Sequence, residues 1–96
     1  MRLEIITPEH EIFKGEADAV QLPGFDGSFQ VLNGHAPIIS GLTAGKVKID
    51  LPVPFDFGEK SNDLIEKDSS NARVIRVHIK GGVAEMFNNK LIILAE

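Results

Sequence analysis

The chain has no cysteine, no tryptophan and no tyrosine, and its only aromatic residues are six phenylalanines. Without cysteine there is no disulfide staple, no thiolate nucleophile and no cysteine-based zinc set, so the fold must rest on packing alone. Positive charge is also scarce: ten Lys and Arg against fourteen Asp and Glu give a formal net charge of −4. That balance argues against nucleic acid or an anionic membrane surface as a direct partner. No apolar run approaches the ~20 residues of a bilayer-spanning helix, and Met1-Arg2 leads straight into a strand-like pattern, not a signal peptide. Heptads are absent, and no helical stripe exceeds about two turns.

What is present is 96 residues at 43% hydrophobic content, enough for one compact domain and too few for a second core. The periodicity is that of strands. Leu3 and Ile5 alternate with Arg2 and Glu4. Ile12 and Phe13 precede a glycine, Gly15, that reads as a turn. Ala17, Ala19 and Gln21 share one face, with Val20 and Leu22 on the other, and Phe29 and Val31 alternate with Ser28 and Gln30. The clearest runs are "KVKIDL", with Val47, Ile49 and Leu51 inward, and "RVIRVHIK", with Ile75, Val77 and Ile79 inward. "KLIILAE" is apolar on both faces and reads as a well-covered strand, which periodicity alone does not separate from a short helix. Turn signals at Pro23-Gly24, Asp26-Gly27, Asn33-Gly34, Gly41, Gly45, Gly81-Gly82 and Asn88-Asn89 separate the runs. The implied fold is all-β, a small antiparallel sandwich or barrel.

Residues 52–72 break the pattern, with prolines first and polar residues afterwards. Within "SNDLIEKD", Ser61 or Asn62 could cap a single helical turn. Phe55 and Phe57 either prolong the preceding strand or fold back as a satellite cluster, the second being preferred.

Strings that suggest enzymes fail on their surroundings. "DFG" at residues 56–58 lacks the glycine-rich loop, strand lysine and catalytic loop of a kinase. "GLTAGK" at 41–46 is one residue short of a phosphate loop, has Val47 where Ser or Thr is required, and opens a strand, not a helix. His10, His35 and His78 have no ligand spacing, so no metal or cofactor is expected. His10 and His78 read as solvent-facing. Ser28 and Ser40 sit in no nucleophile elbow, and the acid pairs Glu9/Glu11 and Glu16/Asp18 are explained by turn solvation. No catalytic residue is assigned.

His35 lies in "VLNGHAPIIS". Asn33-Gly34 favours a turn with positive φ, and Pro37 pushes Ala36 into an extended conformation. Such a stiffened apolar loop is either a docking ridge, which loses little entropy on binding, or a turn that His35 fixes by a hydrogen bond to a carbonyl.

Phe13-Lys14-Gly15, Pro23-Gly24 with Gly27, Val31-Leu32-Asn33-Gly34-His35-Ala36-Pro37, Gly81-Gly82-Val83-Ala84-Glu85 and the ending Leu91 to Glu96 occur in one order. Together they resemble the N-terminal domain of the epsilon subunit of F1 ATP synthase, called delta in mitochondria. The resemblance spans everything outside about 52–72, an atypical insertion in what is otherwise one domain over 1–96. Asn33 and Gln30 depart from the proline and glycine usual there, and no two-helix C-terminal domain follows Glu96, which implies no self-inhibitory latch.

The resemblance implies a sandwich of about ten short strands at the foot of the rotary stalk. It would pack on the gamma subunit and rest on the loops of the c ring, coupling ion translocation to ATP synthesis without catalysing anything itself. Gly24, Phe25, Asp26, Gly27 and Ser28 would reach the ring. Thr7, His35, Ala36, Pro37 and Ser40 would lie near the gamma and ring contacts at the same end. The chain would be monomeric alone, bind no cofactor and meet the membrane only through the ring, on the cytoplasmic face in a bacterium. The competing expectation is a free-standing sandwich that binds another protein.

Overall fold

Alternating side chains explain nearly every strand in the computed structural model, which describes residues 1–56 and 63–96. Ten strands follow in order: β1 (Arg2–Ile6), β2 (Glu11–Glu16), β3 (Ala19–Gly24), β4 (Gly27–Leu32), β5 (Ile38–Leu42), β6 (Gly45–Asp50), β7 (Ile65–Lys67), β8 (Val74–Ile79), β9 (Gly82–Phe87) and β10 (Lys90–Ala95). No helix occurs among the described residues.

The strands form two layers, β2-β1-β10-β9-β5 and β4-β3-β6-β8-β7. They meet where Gly24 of β3 pairs with Leu42 of β5, at the corner where the sheet turns over on itself. All pairings are antiparallel but one, since β1 lies parallel to β10. A parallel pair needs a long crossover, and here nearly the whole chain supplies it. Val20, Leu22, Val31, Val47, Ile49, Ile75 and Val77 of one layer face Leu3, Ile5, Leu42, Met86, Leu91 and Ile93 of the other, all fully or almost fully buried. Each such aliphatic side chain contributes about 1.5–3 kcal/mol through burial. No polar or charged side chain is buried among the described residues. The sandwich expected from the periodicity is therefore the observed fold.

Three local readings change. Gly15 lies inside β2 opposite Leu3, where a Cβ would stand 3.3 Å from the Phe13 ring. The glycine makes room for that ring and does not turn the chain. A register shift at Ile5/Ile6 then lets both Ile12 and Phe13 reach the core, which strict alternation forbids. Pro23-Gly24 closes β3, and the turn itself is Phe25-Asp26, a two-residue hairpin loop before Gly27 at φ 117°. In place of a helical turn near residue 65, β7 pairs with β8 and buries Ile65; the proposed caps Ser61 and Asn62 lie outside the described residues. Ile65 opposite Val77 closes the far edge of the core, and that burial outweighs local helix preference. Phe55 folds back, its ring 6.3 Å from that of Phe13, with its N–H donated to the Ala72 carbonyl; Phe57 lies outside the described residues.

Candidate functional site

The two loops with the most distinctive sequences sit at opposite ends of β4. Its six residues separate Phe25-Asp26 from Asn33 to Pro37, a span of roughly 20 Å at about 3.3 Å per residue. The expectation that His35 shares an end with the Gly24–Ser28 hairpin is thus corrected, because a single strand connects them.

At the His35 end the backbone is held by neighbours. Gly34, at φ 76°, donates its N–H to Asn89 Oδ1 at 2.8 Å. The Met1 amino group donates to the Ala17 carbonyl at 2.8 Å and to Asn33 Oδ1. His35 donates its N–H to the Leu32 carbonyl at 3.1 Å, and its Nδ1 meets the Ala36 carbonyl at 2.7 Å. A carbonyl can only accept, so Nδ1 is the donor in that contact. Asn33 thus substitutes for a stiff backbone with a side-chain tie, while Ala36 and Pro37 stay exposed.

At the other end the Phe25 ring is 73% exposed yet seated over Gly41, where a Cβ would come within 2.5 Å of it. Thr7, just past β1, is at this end too, since Ile6 pairs with Leu94, Leu94 with Val83 and Val83 with Gly41. Its hydroxyl donates to the His10 carbonyl at 3.0 Å, closing a turn in which His10 is exposed. Asp26, Gly27 and Ser28 are exposed, while Gly24 is buried at the corner. Ser40 is half-buried in mid-strand and donates to the Gly41 carbonyl at 3.2 Å.

Between the two ends stretches a feature the periodicity did not reveal. On the outer face of the β1-β10-β9-β5 layer, one cross-strand row holds Gly41, Val83, Leu94 and Ile6. The next holds Ile39, Glu85, Ile92 and Glu4, and below it Phe87 pairs with Lys90. Ile39 is 76% exposed, and Val83, Phe87 and Leu94 are each close to half exposed. "KLIILAE" is accordingly covered on one side only, and its second apolar face is bare. That doubled apolar pattern was the available signal. A contiguous exposed apolar patch rimmed by polar groups marks an interaction surface.

The outer face of the opposite layer is charged. Arg76 meets Asp68 at 2.8 Å, while Glu66 takes His78 at 2.8 Å and Lys46 at 3.7 Å. The hydrogen bond from Arg76, reinforced by Ser70, holds the Asp68 carboxyl far below the usual carboxylate range. His78 lowers Glu66, and Lys90 lowers Glu4, whose carboxylate it meets at 3.1 Å. His78 is exposed, as expected, but engaged by an acid from β7.

Among the described residues no three His, Cys, Asp or Glu side chains converge as a metal site. Thr43-Ala44 turns directly into β6, so "GLTAGK" opens a strand. An open groove of about 670 Å³ runs between β2 and residues 51–56, with Phe13 and Phe55 among its lining residues and His10 and Lys14 beside them. It includes none of the expected contact residues. No helix of the described residues is long and apolar enough to cross a membrane.

Comparison with known proteins agrees with this architecture. The family model described as "ATP synthase, Delta/Epsilon chain, beta-sandwich domain" matches residues 1–52. The ATP synthase epsilon chain of Chlorobium limicola is 37% identical over 99% of this chain and 88% of its own length. That of Caulobacter vibrioides is 35% identical over 100% and 90%, whereas the Salinibacter ruber chain is matched over only 58% of its length, at 31% identity. Among solved structures, a chain of the Tetrahymena thermophila mitochondrial ATP synthase central stalk and c ring superposes with a TM-score of 0.65 at 14% identity, over 99% of this chain and 62% of its own. One from the Euglena gracilis mitochondrial enzyme gives 0.69 at 18%, over 97% and 48%. Matched along its whole length by epsilon chains and folded as the same sandwich, the chain belongs to the delta/epsilon family of ATP synthase subunits.

Proposed function

We propose that the chain is a rotor subunit of the central stalk of an F-type ATP synthase, joining the gamma subunit to the c ring and coupling ion translocation to ATP synthesis. The observation that carries this reading is the bare apolar face of the β1-β10-β9-β5 layer, on a domain whose core is already complete. An apolar surface of that kind is what a permanent subunit contact uses. In this reading β5 runs along the docking face for gamma, from Phe25 at one end to His35, Ala36 and Pro37 at the other. The Phe25-Asp26 turn, with Gly24, Gly27 and Ser28, reaches the ring loops, and Thr7 stands beside it. Ser40, turned inward, supports β5. The subunit performs no chemistry itself, is monomeric when isolated, and sits peripherally at the energy-transducing membrane, on the cytoplasmic face in a bacterium.

The absence of cysteine makes the test clean, since any introduced thiol is unique. A photoreactive crosslinker carried by Phe25→Cys should attach to c, and one carried by Ile39→Cys should attach to gamma, in assembled complexes. Attachment of neither to stalk subunits, with capture of an unrelated protein instead, would favour the free-standing binding module.

A further inference from the structure

The docking face has a charge at its centre. Glu85 projects from mid-β9, between Val83 and Phe87 along its own strand, Ile39 across on β5 and Ile92 across on β10. All four neighbours are apolar. The other carboxylate of the same row, Glu4, is held by Lys90 at 3.1 Å and Lys14 at 3.9 Å. Glu85 is exposed and, among the described residues, forms no ion pair. Water satisfies it in the free subunit. A partner that covers Ile39, Val83 and Phe87 must displace that water, and a carboxylate sealed against apolar groups without a counter-charge is strongly unfavourable.

We propose that Glu85 is the charged determinant of this face and that it receives one cationic side chain, an arginine, set within an otherwise apolar segment of the partner polypeptide. A guanidinium suits the position because it is weakly hydrated and can bind a carboxylate through two parallel hydrogen bonds. Other occupants fit less well. A second copy stacked face to face about a two-fold axis would bring two central carboxylates together. An anionic lipid surface would meet both this charge and a chain of net charge −4. This inference rests on the docking face of the preceding section and names what its partner must carry.

The test measures binding of the full chain to purified gamma by calorimetry, at low and moderate salt, with melting temperatures checked for each variant. Glu85→Gln, nearly isosteric and on the surface, should fold normally and bind at least tenfold more weakly, with a reduced salt dependence. Glu85→Lys should bind more weakly still. Val83→Ser provides the separate readout of the face. If Val83→Ser weakens binding while Glu85→Gln binds as well as the parent or better, the charge proposal is overturned and the docking face stands. If neither weakens binding, both fail. Concentration-dependent dimers of the chain alone that Leu94→Ser dissolves would overturn the proposal in favour of a second copy.

Discussion

Replacing Gly82 with alanine is expected to be among the most damaging single-methyl additions this fold can receive. Gly82 opens β9 at φ 147° between two partners, Leu42 of β5 and Ala95 of β10. A Cβ there would point into the Leu94 carbonyl oxygen, with the Ala95 Cα at 3.0 Å and the Leu94 carbonyl carbon at 3.1 Å, against an ordinary contact of 3.4–4 Å. Every obstacle is backbone within a paired strand, so no side chain can swing aside. The unfavourable φ costs about 1–2 kcal/mol, and forcing a methyl into packed structure adds about 1–3 kcal/mol. A total near 3 kcal/mol lowers the melting temperature of a domain this size by about 12–24 °C. Gly34→Ala is the control. It has a positive φ of 76° but nothing within 4 Å of a new Cβ, so only the backbone penalty applies. Thermal unfolding of both variants, followed by circular dichroism, separates the two effects. Equal losses would refute the idea that close approach of β10 fixes glycine at position 82.

Acid should destabilise the fold partly through Asp68, whose folded pKa is depressed by Arg76 and Ser70. Its contribution is fully present above the unfolded pKa and is lost as pH falls below about 4 toward the folded value. Asp68→Asn should flatten that part of a stability-versus-pH curve, and an unchanged slope would remove Asp68 from the explanation. Gly41→Ala displaces the Phe25 ring, which stands within 2.5 Å of the new methyl. Because the ring sits at an exposed tip, stability should change by less than about 1 kcal/mol, while the Phe25 ring resonances shift. Ring signals that do not move would show that Phe25 is not seated on Gly41. At the β9–β10 turn both asparagines have positive φ, so Asn88→Gly should be neutral or slightly stabilising by urea denaturation. Asn89→Gly should instead cost about 1 kcal/mol, because it removes the hydrogen bond to Gly34; equal behaviour of the two would deny that bond a role.

The sandwich was legible because its core strands alternate strictly, as Val47-Ile49 and Ile75-Val77-Ile79 do. It was less legible wherever a position is set by something distant in sequence. Gly15 looks like punctuation until the Phe13 ring is placed beside it. β7 cannot be found from "LIEKD" alone, because Ile65 becomes a core residue only through its pairing with Val77 on β8. The ordered motifs shared with the family pointed to Phe25 and His35, but not to their separation by the length of β4. The apolar face escaped notice for a related reason. Periodicity shows that both sides of β10 are apolar, but not that only one is covered. Glu85 gains meaning only from Ile39 and Ile92, residues that register places beside it.

The most direct measurement is reconstitution of the stalk from the purified chain, gamma and the c ring, with capture of each subunit quantified for the parent and for a Val83→Ser/Leu94→Ser double variant. The parent should bring down both gamma and the ring. The double variant, with its core residues untouched and its fold retained, should lose gamma. Stoichiometric capture of gamma by the folded double variant would contradict the assignment of the outer face of β1-β10-β9-β5 as the docking surface.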